Sequence, residues 1–560
     1  MDQQKRTFLA LAICMAIGLG WTFFFAPKPD EAAKKQDADI TATKKDAAKA
    51  PGQVNPKAGT PAGATPAVAT PAVVVPPQSF TLATDRFQVG VTNVGGRVNA
   101  LSYLSPEQYK KAGNLLESFP KDSTRLPFAL HFEKGQVNLP DGLVYELDQS
   151  KTVKDPKGQI TTLALVHKGP TYTVAKTYAV HPKHPYTLEL SVVVTNLATE
   201  VLRDQMQLKI AAYKDPANEK SFLDFRPSEL ETICFVEDDL ERTVFDSIDE
   251  EKVETYKGKV HWAGISLRYF NYVSIFEQEP QSCTFSRVEK DYAQTTLTFE
   301  PFALGQGERF TSKQMLYMGP KDVDVMDAIR PDLTKTVDYG ILTPLAKPLR
   351  WLLNFIHQYV GNWGVAILLL TLLIKLATWP ITAKSYSNAE RMKLIQPQLD
   401  ALRKTHENDQ QRLAEETMKL FKENKFNPLG GCLPMVLQMP ILYGLYVMIN
   451  NSVELYQAEF MLWYTDLSAS DPYFVLPILM GLVMVVQQRF MMTATPNPQT
   501  KIMMQLMPIM FTAFMLFLPS GLVLYYFLNL LLGVLQQWLI RRKYAKNAAV
   551  SAKQADIIDV

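Results

Sequence analysis

The sequence predicts a multi-domain membrane protein: six transmembrane helices (an N-terminal anchor plus a five-helix core), a large periplasmic antiparallel β-sandwich and a cytoplasmic helical hairpin. Three observations lead to this fold class. Apolar runs near the start and in the C-terminal third are long enough for the roughly 20 helical residues that cross a hydrocarbon core. The region between them alternates apolar and polar residues, which is typical of strands. Basic residues are concentrated in every second connection between the apolar runs.

Composition limits the chemistry that we expect. The chain has 560 residues and a formal net charge of +2. In a membrane protein the position of the charges relative to the spans carries more information than their sum, and we expect no DNA partner. The four cysteines are too few for a disulfide scaffold and show no metal-ligand spacing. Because the sequence also lacks a Walker-type phosphate loop, we expect no cofactor, no metal site and no enzymatic activity.

The first apolar run extends from Thr7 to Phe25 and follows two basic residues. A cleaved signal peptide is the alternative, but this run is too long and no small-x-small cleavage site follows it. We therefore predict an uncleaved transmembrane anchor over residues 1–27. Residues 28–77 are rich in Ala, Pro, Lys and Thr, and such a composition buries too little apolar surface to fold. We therefore predict that residues 28–77 form a disordered tether.

Residues 78–335 have the pattern of a β domain. Apolar and polar residues alternate in Tyr172 to Ala175 and in Leu188 to Val192, and turns such as Gly95-Gly96 interrupt the pattern. A β-sandwich is the natural architecture at this size. His181 and His184 have no carboxylate or cysteine placed beside them in the sequence, so we interpret them as surface residues.

Two cysteines, Cys234 and Cys283, lie in the predicted β domain. If this domain lies outside the cytoplasm, the two thiols could form a disulfide, because that compartment permits oxidation. Nothing in the sequence shows how far apart they lie, so the pairing stays open at this point.

An amphipathic helix is predicted over residues 336–361, directly before the first span of the core. Lys347 and Arg350 interrupt its apolar residues, as expected of a helix that lies along a membrane surface. The apolar residues that recur with helical spacing are Ile341, Leu345, Leu349, Leu352, Leu353 and Ile356.

The predicted five-helix core occupies residues 362–541. Its spans are Trp363 to Ile381, Leu433 to Ile449, Tyr473 to Met491, Ile502 to Leu518, and Gly521 to Ile540. The connection over residues 384–426 is rich in Lys and Arg and predicts a cytoplasmic helical hairpin, whereas residues 451–471 contain no Lys or Arg. The tail, residues 542–560, is also basic. The positive-inside rule therefore places both termini in the cytoplasm and the β domain in the periplasm.

Lys375 is the most informative residue of the core. A cation near the bilayer centre costs roughly 2.5 to 3.5 kcal/mol on insertion scales, so such a residue usually faces water or a partner. The alternative is that Lys375 extends its ammonium to the cytoplasmic interface. Thr371 lies one turn earlier on the same helix face, and no span contains Asp or Glu. We predict a hydrated groove, with these further polar candidates in the spans: Gln438, Gln487, Gln488, Gln505, Tyr525, Tyr526, Asn529, Gln536 and Gln537.

Methionines are concentrated in two neighbouring spans, the third and the fourth of the core. Flexible, polarizable side chains suit a surface that binds varied apolar segments. Packing against lipid explains them equally well, so both interpretations stay open.

Several motifs in one order resemble the YidC membrane protein insertases of Gram-negative bacteria, and the resemblance covers essentially the whole chain. The motifs are Asn362-Trp363-Gly364, the basic residue Lys375, Asn427 to Cys432, Gln438-Met439-Pro440, Asp471-Pro472-Tyr473, Leu476 to Gly481, and Pro519 to Tyr526.

The resemblance implies a hydrophilic groove that faces the cytoplasm, is closed toward the periplasm and opens laterally to lipid. The family's groove cation is usually Arg, and this sequence has Lys375 instead; Lys keeps the charge but lacks the bidentate fork. By position, Thr371 and Tyr526 line the groove, and we add Gln438 and Tyr525. The implied partners are nascent membrane proteins, the Sec translocon, membrane lipids, and the ribosome and signal recognition machinery at the hairpin and tail.

Two other classes of function are weighed against insertion. A transporter could use Lys375 in a polar cavity, but such proteins usually show repeated halves and intramembrane carboxylates. A periplasmic carbohydrate-binding protein with a membrane anchor is the second alternative, because sandwich folds host many activities. The β domain shows no paired acids that would mark a sugar-cleaving site.

Overall fold

A computed structural model describes residues 76–106, 109, 125–214, 230–248, 253–406, 409–424, 433–491 and 498–558. All of them belong to one compact unit, Pro76–Val560. The predicted anchor and nearly all of the predicted tether lie outside the described residues.

The N-terminal half of the described chain is built from strands. They are β1 Ser79–Ala83, β2 Phe87–Thr92, β3 Arg97–Tyr103, β4 Ala129–Phe132, β5 Glu146–Leu147, β6 Val153–Lys154, β7 Ile160–Lys168, β8 Tyr172–Val180, β9 Thr187–Asn196, β10 Leu202–Asp204, β11 Met206–Tyr213, β12 Leu230–Val236, β13 Asp239–Val244, β14 Glu254–Lys257, β15 Val260–Leu267, β16 Phe270–Phe276, β17 Ser282–Val288, β18 Tyr292–Thr298, β19 Phe302–Leu304 and β20 Arg309–Pro320.

These strands form two large sheets and one short pair. The larger sheet has the order β13-β12-β15-β16-β20-β9-β8-β7-β1-β2-β3, with β5 and β6 also paired to β7. The second sheet has the order β14-β17-β18-β11-β4, and β10 pairs with β19. Pairing is antiparallel except between β1 and β7, where Leu82 pairs with Ile160 in a parallel arrangement. The sequence predicts a purely antiparallel domain. The observed domain differs from this prediction at one position, the parallel pairing of β1 with β7.

The alternation in the sequence corresponds to alternating burial in the strands. Along β8 and β9, every second side chain is buried against the core and its neighbours are more exposed. This is what a sheet with one face on the core requires, because successive side chains point to opposite faces.

The two large sheets pack face to face. Thr295 of β18 donates its hydroxyl hydrogen to the carbonyl oxygen of Gly264 in β15 at 3.0 Å, a bond that joins the two sheets. Cys234 of β12 and Cys283 of β17 form a disulfide between the sheets, with Cα atoms 6.6 Å apart. The pairing that the sequence leaves open is thus present in the structure.

Helices follow the last strand. They are α1 Val323–Ile329, α2 Thr343–Val360, α3 Trp363–Thr405, α4 Gln410–Glu423, α5 Leu433–Asn451, α6 Val475–Met491, α7 Pro498–Met515 and α8 Ser520–Ile558. Of the described helices, Trp363–Thr405 and Ser520–Tyr544 are long and apolar enough to cross a membrane, and Val475–Arg489 and Gln505–Met515 are shorter apolar helices.

Two helices are longer than the predicted spans. The first predicted span ends at Ile381, but α3 continues to Thr405 and forms the first arm of the hairpin, with α4 as its second arm. The last predicted span ends at Ile540, but α8 continues through the basic tail to Ile558. In both cases helical propensity persists after the apolar run ends, because hydropathy limits the membrane segment and not the helix.

The helix α2 links the β domain to the core. Gly361 ends it in the left-handed conformation (φ 66°), and the side chain of Asn362 then caps α3 by accepting a hydrogen bond from the Val365 amide at 3.0 Å. One face of α2 is buried, and the opposite face exposes stacked aromatic rings of Trp351 and Phe355. Such aromatic residues suit a membrane interface.

Candidate functional site

Between Thr371 and Thr382, the helix α3 has a polar buried face and an apolar exposed face. Thr371, Lys375 and Thr382 are buried inside the helix bundle, whereas Leu372 and Leu376 are exposed. This is the reverse of a helix in a water-soluble protein, where the buried face is the apolar one. A lipid environment explains the exposed leucines, and the interior of the bundle then has to accommodate the polar groups.

Lys375 lies in this interior, and none of the described residues forms an ion pair with it. Its side chain is on a residue that is only 6% exposed, and among the described residues no carboxylate or hydrogen-bond acceptor reaches its ammonium. Thr371 does not supply one, because its hydroxyl donates to the carbonyl oxygen of Ile367 at 2.7 Å.

The helices α3 and α8 are joined by polar contacts beyond Lys375. The Gln536 side chain is fully buried, and its amide nitrogen donates to the carbonyl oxygen of Trp379 at 3.2 Å and to the hydroxyl of Thr382 at 3.0 Å. We call the buried polar face of α3, together with the polar side chains that α6 and α8 turn toward it, the polar seam.

Gln438 and Tyr525 meet in the bundle. The amide nitrogen of Gln438 in α5 donates to the hydroxyl of Tyr525 in α8 at 2.7 Å, and Tyr525 is buried. Tyr526, the next residue, is half-buried with its ring centroid 5.1 Å from that of Phe511 in α7. In the part of the chain that the structure describes, no hydrogen bond joins Lys375 to any of the other four predicted site residues. They occupy the same bundle but do not form one contact network with Lys375.

Tyr386, which the sequence pattern does not single out, is buried in the polar seam and hydrogen-bonds the side chain of Gln487. It lies beyond the apolar run of the first span, in the region predicted as hairpin. Tyr386 lies three turns after Lys375 on the same face of α3. This spacing would have identified Tyr386 if the sequence had predicted that the helix continues beyond Ile381.

Residues 452–474, which we call the plug segment, contact the starts of α3, α6 and α8. The ring of Phe460 lies directly on Gly364 at the start of α3, where any side chain would collide with it. Asp471 accepts hydrogen bonds from the Trp463 indole at 3.1 Å and from the Leu476 amide at 2.8 Å, which holds the plug segment to the start of α6. The amide of Gly521 in α8 donates to the carbonyl oxygen of Leu467 at 2.9 Å.

The plug segment is also tied to α2 and to the β domain. Arg350 of α2 and Glu454 form an ion pair in which both side chains are 12% exposed. The rings of Tyr269 in the β domain and Tyr456 lie 4.7 Å apart. Among the described residues, no group of His, Cys, Asp and Glu side chains could hold a metal ion.

Two family models match adjacent parts of the chain. The model described as the 60Kd inner membrane protein matches residues 355–547, and the YidC periplasmic domain matches residues 79–352. A membrane protein insertase YidC from Marinobacter nauticus is 32% identical over 480 residues, which cover 84% of this chain and 83% of that one. The chain belongs to the YidC membrane protein insertase family.

The YidC family membership confirms the resemblance that the motifs carry. A YidC insertase of Pseudomonas fluorescens strain Pf0-1 is 47% identical over 252 residues, but the match covers 45% of this chain and 44% of that one. The chain spans about half the length of several of the curated relatives that it matches, as this one illustrates. A crystal structure of an active YidC insertase is 16% identical, with 82% of this chain and 92% of that chain covered at a TM-score of 0.36.

The YidC family is one of inner-membrane proteins with a β-rich periplasmic domain, which here is the domain of the two sheets. It is a family of insertases, not of enzymes that catalyse a covalent reaction. This membership favours membrane insertion over the two alternatives, a transporter and a periplasmic carbohydrate-binding protein.

Proposed function

We propose that this chain is a membrane protein insertase and chaperone that moves nascent hydrophobic segments from the cytoplasm into the inner membrane, alone or with the Sec translocon. The observation that carries the proposal is Lys375, a buried cation with no carboxylate partner among the described residues, on the polar face of a helix whose other face exposes leucines. Such a bundle offers a polar surface to one part of an arriving chain and an apolar surface to another.

The mechanism is physical and forms no covalent bond. The hydrophobic segment of the substrate lies along the apolar outer surface of the helices, while its short polar flank rests in the groove lined by Lys375, Thr371, Gln438, Tyr525 and Tyr526. The groove lowers the desolvation cost of moving the flank across the bilayer. Partition of the apolar segment into lipid then supplies the driving force, so no nucleotide is required.

The proposed arrangement has six spans. The β domain lies on the periplasmic side of the membrane, and both termini lie on the cytoplasmic side. The basic connection over residues 384–426 supports it, because Lys and Arg favour the cytoplasmic side. Single cysteines at Lys404 and Leu462, in a chain without its natural cysteines, should react with an impermeant thiol reagent from opposite faces of sealed vesicles. Reaction from the same face would contradict this topology.

The proposed partners other than the nascent chain are membrane lipids, the Sec translocon, the ribosome and the signal recognition machinery. The hairpin supports a contact with ribosomal RNA or anionic proteins, because its two arms, in α3 and α4, carry many Lys and Arg residues. We place the ribosome and the signal recognition machinery at the hairpin and at the basic tail, residues 542–560.

The test is reconstitution of the purified full chain in liposomes with a single-span substrate that has a short polar flank. Insertion is measured as protection of the flank from added protease. We expect protection with the protein and little without it. Equal protection in liposomes with and without the chain would contradict the proposed function.

A further inference from the structure

A proline interrupts the backbone hydrogen bonds of α3 close to the point where this helix leaves the predicted span. Pro380 lies inside α3, one residue before the predicted end of the first span at Ile381. Proline has no amide hydrogen, so the carbonyl oxygen of Leu376 loses its usual donor within the helix, and the proline ring crowds the same turn. Long helices bend at such positions. The direction of α3 after Pro380 therefore depends on contacts with other helices.

One buried side chain of α8 bonds α3 on both sides of this proline. Gln536 is fully buried, and its amide nitrogen has two hydrogens to donate. Nε2 donates to the carbonyl oxygen of Trp379 at 3.2 Å, before Pro380, and to the hydroxyl of Thr382 at 3.0 Å, after it. A change in the bend at Pro380 stretches at least one of these two bonds.

The threonines around Pro380 bond within α3. The hydroxyl of Thr378 donates to the carbonyl oxygen of Ile374 at 2.9 Å, and the hydroxyl of Thr382 lies 3.1 Å from the carbonyl oxygen of Thr378. Hydroxyls that bond back to the preceding turn often bend a helix. They do not stiffen α3 at Pro380, whereas the bonds from α8 hold it against a second helix.

The exposed face of α3 gives this region little support. Leu376 and Ile381 are 56% and 39% exposed, and in a membrane they meet fluid lipid. Further along the buried face, Tyr386 hydrogen-bonds the side chain of Gln487 in α6. Polar contacts on the buried side therefore hold the start of the hairpin arm.

We infer that Gln536 is a positioning residue that fixes the direction in which α3 leaves the helix bundle after Pro380, and with it the orientation of the hairpin. The inference goes beyond the proposed function, because it concerns the resting orientation of a segment and needs no substrate. For the proposed function it means that a ribosome at the hairpin is held at a fixed place relative to the polar seam. This consequence rests on the proposed function.

A small change at Pro380 becomes large at the tip of the hairpin arm. A rise of about 1.5 Å per residue places Lys404 about 36 Å along the helix from Pro380, so a bend of about 10° moves it by about 6 Å. Spin labels at Lys404 and at Arg489, which are both exposed, report this displacement by double electron–electron resonance. The full chain is measured in lipid nanodiscs, with the disulfide between Cys234 and Cys283 kept and the other two cysteines replaced.

The test variant is Gln536→Met, which keeps the length of the side chain and removes both donated bonds. The hydroxyl of Thr382 keeps the Thr378 carbonyl oxygen as its acceptor, so this variant leaves the hydroxyl bonded and should fold. The matched control is Gln537→Met. Gln537 is the next residue of α8, is 3% exposed, and its Oε1 has no hydrogen-bond partner among the described residues.

We expect Gln536→Met to broaden the distance distribution by about 6 Å, the displacement that a bend of about 10° produces. Gln537→Met should leave the distribution unchanged. A second pair of variants tests the part played by the proline, because Pro380→Ala restores the missing amide hydrogen and introduces a strong helix former. In the Pro380→Ala chain, Gln536→Met should no longer broaden the distribution, because α3 then holds its own direction.

Three results would overturn the inference. An unchanged distribution in Gln536→Met would show that other contacts orient the hairpin arm. Equal broadening in Gln536→Met and Gln537→Met would show that α8 needs polar side chains for its packing in general. Equal broadening with proline and with alanine at position 380 would show that Gln536 joins two helices without controlling a bend. The distances require no inserted substrate, so a failure of the proposed function is detected separately, by the liposome assay with the unmodified chain.

Discussion

Three lysine side chains are buried among the described residues, and their surroundings differ. Lys176 is saturated with carbonyl oxygens, whereas Lys375 has no acceptor in the described part of the chain. Lys321, after the last strand, lies among charged groups of the β domain: Glu231, Asp338, Arg242 and Arg268. Burial alone therefore does not identify a functional lysine, and the partners of the ammonium have to be examined.

At the residue scale, we predict that Lys375 acts on the charge of the substrate flank in a graded way. At an effective dielectric near 20, a charge pair at about 4 Å is worth up to roughly 4 kcal/mol, and water in the groove reduces this. Lys375→Arg should retain insertion, Lys375→Ala should slow acidic flanks more than neutral ones, and Lys375→Glu should be worst for acidic flanks. The measurement is the inserted fraction against flank charge at equal protein level.

The control for this series is the amount of folded protein, because replacing a buried membrane residue can alter folding. Similar losses for acidic, neutral and basic flanks would show that Lys375 maintains structure or hydration and does not select charge.

A second residue-scale prediction concerns pH and the β domain. Burial, opposed by nearby Glu231, lowers the pKa of Lys321 to about 8. Between pH 8 and the usual lysine pKa the unfolded chain binds a proton that the folded chain has lost, so the free energy of unfolding rises with pH in this window. The contribution is at most about 1.4 kcal/mol for each pH unit.

Thermal unfolding of the full chain by near-ultraviolet circular dichroism, at pH 8 and pH 10, measures this effect. Lys321→Met removes the titrating group. We expect the stability of this variant to increase less between pH 8 and pH 10 than the stability of the unmodified chain. The same pH dependence in both proteins would refute the assignment.

At the scale of elements, the helix α3 is the central part of the molecule. It carries Lys375 and Tyr386, begins against the plug segment and continues to Thr405 as one arm of the hairpin. The same helix contacts the plug segment at its start and forms one arm of the hairpin at its end.

The close packing of Phe460 on Gly364 predicts a strong steric effect. A Cβ atom at Gly364 would lie 2.0 Å from the Phe460 ring, so Gly364→Ala forces the plug segment or α3 to move. We expect the free energy of unfolding to fall by about 1–3 kcal/mol, the usual range for overpacking. Thermal unfolding of the detergent-solubilised chain measures the change.

The double variant Gly364→Ala with Phe460→Leu serves as the control, because the smaller side chain should recover part of the loss. If Gly364→Ala is as stable as the unmodified chain, the plug segment is not held at this contact.

At the scale of the whole molecule, aromatic side chains join the β domain and the helical core. The ring contacts of Tyr456 with Tyr269 and Phe270 join them, and α2 leads from one to the other. The polar seam lies entirely in the core. The molecule therefore consists of a helical core that contains the polar seam and a β domain that packs beside this core.

We predict that the β domain is largely dispensable for insertion. The deletion should extend from Ser79 to Pro320, because stopping earlier would leave part of β20 without its sheet partners. The shortened chain should still insert the short-tailed substrate, with protease protection as the measurement. Tyr456→Ala in the full chain is the matched control, because it removes the ring contacts and keeps the domain. A shortened chain that is stably present in the membrane but inserts nothing would contradict this prediction.

The sequence by itself determined the class of the molecule and its family. Long apolar runs, basic connections and period-two alternation are local patterns, and each reports which face of a segment is buried or which side of a membrane it meets. Linked motifs from Asn362 to Tyr526 carried the resemblance that the relatives confirm. Lys375 could also be selected from the sequence, because a cation inside an apolar run is unusual wherever the helix packs.

Only the tertiary structure decided which distant groups meet. Cys234 and Cys283 are 49 residues apart in sequence and pair across two sheets. Lys375, Tyr386 and Gln487 converge at Gly533 because α3, α6 and α8 pack with these faces together, and no local periodicity encodes that packing. The length of α3 was likewise underestimated, because hydropathy marks where lipid ends and the backbone hydrogen bonds of a helix continue into water.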